Sequence, residues 1–514
     1  MIRLEMVASV AELLRRQAAR FPSKAAYVDS ARTITYGELE REATSLATRL
    51  RASGVGVGDS VALWLPNSVD WVVACLGVVR AGGVAVPISY EATLPETNYR
   101  LVDSNARALI TTSAKLGTLA NTILPSKVIV TDEVAGVGTM SFRQLCTEPA
   151  GGVSLEDDDI DRPSYIVYTS GTTGRAKGVL LTTRGMLWIT AACWAPVLGL
   201  DETDNVLSPL PLFHSYALNI AVLGILATGA SEYIMEKFST QGAIGLLGKG
   251  GFTIMPGVPT MFHYLMQAAQ AAGSKPFTGM KRCVSAGAIM PASLNQEFEE
   301  YFGVELLDGY GITETSTMVT MNWPGENRIP GSCGLPVPGL AVRLVDPVSG
   351  LDVDVGQEGE LICRGPNVML GYHNKPQETA AVLRNGWYHT GDLARSDRNS
   401  FLTITGRLKE IIIRGGQNIA PAEVEETILP LEGIRDAAVV GVTHETLGEV
   451  PVAFIVAKEG VVIDSEVIVA HCRASLSSYK VPAAIHVVDE IPRTGSGKIM
   501  RFKLRELVDK PAHA

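Results

Sequence analysis

Tyr168-Thr-Ser-Gly-Thr-Thr-Gly-Arg-Ala-Lys177-Gly-Val is a run of hydroxyls and glycines leaving the apolar stretch Ser164-Tyr-Ile-Val-Tyr168. Gly171 and Gly174 remove side chains where a backbone must come close to a ligand. Ser170, Thr172 and Thr173 add hydroxyl donors to the exposed backbone amides, so the stretch reads as a phosphate cradle on an apolar strand. A Walker A loop needs two glycines five apart followed by Lys-Ser/Thr; here Lys177 stands three residues past Gly174, so another way of holding phosphate is expected. Taken alone, the same stretch also reads as a surface loop.

Outward toward the N-terminus, the punctuation is that of βαβ units. Thr35-x-x-Glu38 is a capping box opening a helix with Leu39, Ala43, Leu46 and Leu50 on one face, closing near Gly54. Residues 60–65 read as a buried strand, 68–81 as a helix and 83–87 as a strand. Strands at 108–112 and 127–131 continue the series into the quoted loop. The first part should therefore be a parallel-rich sheet with covering helices.

Downstream, segments 205–215, 252–259 and 282–288 each end a strand in small residues or proline. In open α/β sheets ligands sit at the carboxyl ends of strands, so these segments are expected to converge on one crevice. Beyond about residue 330 short alternating strands separated by glycines (342–345, 359–363, 401–405) indicate a β-rich subdomain to about 405. After a break at Gly406-Arg-Leu-Lys409-Glu, residues 410–418 read as a hairpin, followed by a helix from Ala422 and strands at 437–442 and 450–456. The remaining length suits a small α+β domain.

A chain of 514 residues, 46% hydrophobic and 19% charged, can bury a large core and divide into domains. Its net charge of −10 argues against a nucleic-acid-binding surface, so any phosphate site is local. The seven cysteines (75, 146, 193, 283, 333, 363 and 472) form no Cys-x-x-Cys pair and fit core positions in a reducing compartment. Ser9-x-x-Glu12 opens an amphipathic helix where a signal peptide would have its apolar core, and the most apolar stretch, 217–230, is too short to span a membrane. A cytoplasmic protein without an integral membrane segment is expected.

Three further stretches carry chemistry. In Leu307-Asp308-Gly309-Tyr310-Gly311-Ile-Thr313-Glu314, glycines flank an aromatic able to stack on a planar base, and Thr313 and Glu314 can meet a phosphate and its metal; Tyr310 in the core and Glu314 in solvent is the plainer alternative. Trp387-Tyr-His-Thr-Gly-Asp392 puts an acid at a glycine turn, suited to ribose hydroxyls or simply to closing the turn. Pro492-Arg-Thr-Gly-Ser-Gly-Lys498 presents one lysine on a glycine-rich loop, either a surface charge or an ammonium that a flexible loop delivers and withdraws.

Together and in this order, segments 168–178, 308–314, 388–392, 406–421 and 492–498 resemble the adenylate-forming superfamily: acyl-CoA synthetases, luciferases and the adenylation domains of nonribosomal peptide synthetases. The resemblance covers nearly the whole chain. Gly415-Gly-Gln-Asn-Ile-Ala-Pro-Ala-Glu-Val-Glu425 and residues 441–453 are closest in style to acyl-CoA synthetases. It implies an N-terminal domain over 1–408, a hinge at Lys409 and a mobile C-terminal domain over 409–514. It implies ATP, Mg²⁺ and coenzyme A.

By position, the resemblance assigns Thr169, Ser170, Gly171, Thr172, Thr173, Gly174 and Lys177 to the triphosphate loop. Ala286, Gly287, Ala288 and Tyr310 surround the adenine, with Asp308, Gly309 and Gly311 also in the nucleotide site, Asp392 meets the ribose, and Arg407 the ribose and phosphate. Thr313 falls to the α-phosphate, Glu314 to magnesium, His214 to the acyl-pocket entrance, and Lys498 to adenylation. Arg414, Gly415 and Gly416 border the thiol entrance after rotation about Lys409. The implied reaction is activation of an apolar medium- or long-chain, or bulky, monocarboxylic acid as its adenylate, then transfer to coenzyme A. Transfer to an acyl-carrier protein and an inactive nucleotide-binding interaction protein are the alternatives. Monomer and homodimer both stay open.

Overall fold

In the computed structural model the quoted loop joins two strands of one hairpin. Pro163–Thr169 leads into it and Lys177–Thr182 returns antiparallel, with Tyr168 opposite Gly178 and Thr169 opposite Lys177. The structure describes residues 1–119, 124–132, 138–147, 151, 153–155, 159–169, 176–325, 327–414, 417–444, 446–493 and 499–509.

The hairpin belongs to an eight-stranded sheet among the described residues. From the hairpin the order runs Val84–Pro87, Ser60–Trp64, Ala108–Thr111, Lys127–Val130 and Met140–Ser141, all parallel; on the hairpin's other side Gly371–Tyr372 pairs with the returning strand. Ser60–Trp64 is buried at every position, as expected of a parallel strand covered on both faces. Helix Tyr36–Ala52 carries the expected capping box, and Ser68 caps Val69–Arg80 by accepting from Trp71 N. These helices pack tightly because Gly77 lacks a side chain: a Cβ there would lie 2.7 Å from Leu46 Cδ2.

A nine-stranded sheet has at its centre the parallel strands Glu305–Tyr310, Arg282–Ser285, Ile254–Gly257, Asn205–Ser208, Ser231–Ile234 and Ala25–Val28. The largest core cluster draws residues from both big sheets and the helices that pack on them. All seven cysteines are buried. The apolar stretch 217–230 is helical as expected, but Leu218–Gly224 is wound as a π-helix, as is Thr190–Leu198, which packs against it. Their facing side is fastened by polar atoms: Trp194 Nε1 donates to Asn219 Oδ1 at 2.6 Å, and Asn219 Nδ2 donates to Met186 O and Ser316 O, each at 2.9 Å.

The strands predicted after residue 330 form an antiparallel sheet of Ala341–Val345, Gly359–Arg364, Trp387–Ser396, Leu383–Arg384 and Leu402–Arg407. A last sheet contains the expected hairpin, Ile412–Arg414 with Gln417–Ile419, and the long pair Ile434–His444 and Gly448–Ala457, joined in parallel by Ala484–Val487. The whole is α/β, with a large parallel-rich N-terminal part and a smaller β-rich C-terminal part. Among the described residues no helix is long and apolar enough to cross a membrane.

Candidate active site

Strand Glu305–Tyr310 ends in a tightly folded segment. Ser316 and Thr317 have φ of 53° and 113°, a region costly for a non-glycine residue and more so for a β-branched one. Their surroundings enforce it. Asn367 Nδ2 donates to Thr315 O at 2.8 Å and Met318 O at 3.1 Å, Ser316 Oγ donates to Asn367 O at 2.7 Å, and Thr317 Oγ1 donates to Ser215 O at 3.2 Å. Gly311 is required by the same fold-back, since a Cβ there would sit 1.4 Å from Thr317 O.

This strained segment presents Thr313 and Glu314. Thr313 is buried with its hydroxyl 3.1 Å from Ser215 Oγ, next to His214, whose Nδ1 accepts from Tyr216 N at 3.4 Å. Tyr216 Oη donates to Val284 O at 3.1 Å, tying the helix start to the end of Arg282–Ser285. Beyond that strand Ala286 is buried, Gly287 takes a left-handed φ of 89° and Ala288 is exposed. The expected convergence of strand ends is thus present.

Asp392 is buried on Trp387–Ser396, in register with Arg407 on the neighbouring strand. Arg407 Nε lies 2.7 Å from Asp392 Oδ1, and Tyr310 Oη donates to Asp392 Oδ2 at 2.5 Å. The Asp392 carboxylate raises the Arg407 pKa further, while burial and then Asp392 hold the Tyr310 phenol protonated. Asp308 is also buried, its Oδ1 has no hydrogen-bond partner among the described residues, and burial pushes its carboxyl well above the usual range. Ser285, beside it in register, likewise has an unpartnered buried Oγ.

Two tyrosines were not singled out from the sequence. Tyr372 Oη donates to Glu314 Oε1 at 2.9 Å, and the Lys177 ammonium stands 4.9 Å from the Tyr372 ring centroid. Tyr388 is buried, and its phenol is pushed up by burial and then by Glu314 and Tyr372. The available signal was the Gly371-Tyr372 dipeptide, a glycine-aromatic pair like Gly309-Tyr310.

Lys409 is exposed in the turn after Arg407, where Glu410 N and Ile411 N both donate to Arg407 O. Arg414 is not drawn into the cluster above; its Nη1 donates to Tyr479 O at 2.8 Å. Ser170, Gly171, Thr172, Thr173, Gly174, Gly415, Gly416 and Lys498 lie outside the described residues. Thr169 and Ala176 flank the first of these stretches, with Tyr99 Oη donating to Ala176 O at 2.9 Å. Around Lys498, Arg493 bridges to Ile499, Met500 N donates to Pro492 O at 2.8 Å, and Arg493 forms a paired salt bridge with Asp436. Arg501 reaches both Glu410 and Glu425.

The chain is similar to known proteins along nearly its whole length. The model of the AMP-binding enzyme family matches residues 14–373, and that of the AMP-binding enzyme C-terminal domain matches 423–498. The chain is 34% identical over 527 residues to a long-chain-fatty-acid–CoA ligase of Bacillus subtilis (strain 168), covering 96% of this chain and 93% of that one. It is 33% identical over 498 residues to a feruloyl-CoA synthase of Amycolatopsis sp, covering 95% and 97%. A naringenin synthase of Pestalotiopsis fici is 34% identical over 523 residues, which are 98% of this chain and 19% of that protein. Among solved structures, the anthranilate CoA ligase AuaEII in complex with anthranoyl-AMP superposes with a TM-score of 0.90 at 27% identity, covering 97% of each chain.

Proposed function

The chain belongs to the AMP-binding enzyme family, and from that membership we propose that it is an acyl-CoA ligase selective for an apolar monocarboxylic acid, medium- or long-chain or bulky. The observation that carries the reading is the joining of Tyr310, Asp392 and Arg407 beside the segment that presents Thr313 and Glu314. A protonated phenol and a guanidinium fix an acid that is assigned to the ribose hydroxyls, and Arg407 is assigned to the phosphate as well. Ala286 to Ala288 and Asp308 to Gly311 are assigned to the adenine, and the loop from Thr169 to Lys177 to the triphosphate.

The acid substrate is ionised at neutral pH, so its attack on the α-phosphorus of ATP needs no general base. What the protein supplies is charge compensation and alignment. Thr313 is assigned to the α-phosphate oxygens, and Lys498 to the negative charge that builds up as pyrophosphate leaves. The family implies magnesium, and Glu314 fits it: Tyr372 holds one carboxylate oxygen and leaves the group its negative charge. No group of three or more potential ligands occurs among those residues, which suits an ion that keeps waters and phosphate oxygens. When bound, magnesium would offset phosphate charge.

In the second step coenzyme A takes the acyl group and AMP leaves. Residues 1–408 and 409–514 are assigned to two bodies that reorient about Lys409, bringing the turn at Arg414 to Gly416 to the thiol entrance. The acid class rests on the segments assigned to the acyl pocket (215–223, 257–261, 286 and 315–318), which contain no charged residue to meet a second carboxylate. The full-length relatives quoted above carry names of both fatty and aromatic acids, so a panel of acids is the direct test. Pyrophosphate release should be high with apolar monocarboxylic acids and low with dicarboxylic ones; the reverse order would sink the assignment. Comparing free coenzyme A with an acyl-carrier protein tests the acceptor.

A further inference from the structure

Segment 369–373 lies along two functional elements at once. Met369 N donates to Glu314 O at 2.8 Å; Leu370 N donates to Leu180 O at 3.0 Å and His373 N to Gly178 O at 2.7 Å, so Tyr372 is stitched to the strand that begins with Lys177. Tyr372 N donates to Thr379 Oγ1 at 2.9 Å, an approach that Gly371 permits, since a Cβ there would lie 2.8 Å from Thr379 Cγ2. From this fixed backbone the side chain reaches Glu314 with its hydroxyl and offers its ring to the Lys177 ammonium. Its backbone is thus fixed on both sides of the side chain.

We infer that Tyr372 is a positioning residue for adenylate formation, setting the orientation of the Glu314 carboxylate through its O–H and the place of the Lys177 ammonium through its ring. The inference rests on the assignment of Glu314 and Lys177 made above. A neutral phenol suits the task. A lysine there would neutralise Glu314 and compete with any cation it binds, whereas an O–H donor fixes one oxygen and leaves the charge in place. The ring attracts an ammonium through its face without quenching it.

The test separates hydroxyl from ring. Tyr372→Phe keeps the ring under Lys177 and removes the donor; Tyr372→Leu removes both. Mn²⁺ binding in the presence of a non-cleavable ATP analogue, read by electron paramagnetic resonance, should weaken about 10-fold in Tyr372→Phe, the low end of what loss of a ligand-orienting partner costs. In a Glu314→Gln background the same change should add little. Tyr372→Leu should in addition weaken metal-free binding of the analogue, which Tyr372→Phe should leave nearly intact. Transfer from pre-made acyl-adenylate to coenzyme A should be the same in Tyr372→Phe as in the parent. Unaltered Mn²⁺ affinity in Tyr372→Phe, or equal loss in both half-reactions, would overturn the inference and leave Tyr372 a packing residue. Failure of the parent protein to release pyrophosphate with any acid would instead count against the ligase reading.

Discussion

Tyr310 and Asp392, 82 positions apart in the chain, meet through an O–H···O hydrogen bond of 2.5 Å. The acid is buried, and Arg407 is its other partner. Hydrogen bonds to a charged group contribute about 1.5–3 kcal/mol, roughly 10- to 100-fold in affinity. If Asp392 binds the ribose, Asp392→Asn should raise KM for ATP by about that factor, while Tyr310→Phe, which leaves Arg407 in place, should raise it less. Initial rates at saturating acid measure both. An unchanged KM in Asp392→Asn would remove the ribose assignment.

Lys498 is assigned a task that exists only while charge accumulates at the α-phosphate. Lys498→Ala should slow adenylate formation by about 10²- to 10³-fold, the loss typical of one transition-state donor, with much less effect on ATP binding. Given pre-made acyl-adenylate, the mutant should still form thioester at nearly the parental rate. An equal fall in both half-reactions would contradict a two-pose cycle.

Gly311 faces a backbone carbonyl, and a backbone cannot swing aside as a side chain can. Gly311→Ala should cost at least about 1–3 kcal/mol of stability, the usual range for overpacking, and should disturb Thr313 and Glu314 together. Urea denaturation reads the first effect and KM for ATP the second. Parental values of both would mean that the 315–318 segment is far more yielding than its hydrogen bonds to Asn367 and Ser215 indicate.

Glu232 lies outside the candidate site, fully buried in the central strand Ser231–Ile234. Burial pushes its pKa well above the ordinary 4.5. The folded protein therefore keeps a proton that the unfolded chain releases above about that pH. This residue's contribution is complete below pH 4.5 and declines as pH rises toward the folded pKa, by up to about 1.4 kcal/mol per pH unit. Glu232→Gln should flatten that slope and gain stability relative to the parent from pH 5.5 to 8.5. Parallel stability profiles for the two proteins would show that Glu232 ionises freely in the fold.

Much of this architecture was legible because its signals are local. The Thr35/Glu38 box, the Ser68 cap, the buried run at Ser60–Trp64 and the hairpin at 412–419 each depend on a few adjacent residues. The wide turns of Leu218–Gly224 were not legible, since a continuously apolar segment shows no period from which α and π winding can be told apart. Asn219, the one polar amide in that segment, is a core donor and acceptor. Tyr310 fitted both a core and a site reading and has features of each, half-buried with its hydroxyl on Asp392. Tyr372 could not be found by spacing, because its partners are far apart in the chain: Glu314 lies in the 3-10 turn Thr313–Thr315 and Lys177 on the strand Lys177–Thr182.

Arg493 pairs with Ile499 in an isolated β-bridge and is anchored to Asp436, on the longest strand of the C-terminal sheet. Both described flanks of the glycine-rich stretch are thus fastened to one sheet, so any reorientation of that sheet displaces the two flanks together as one body.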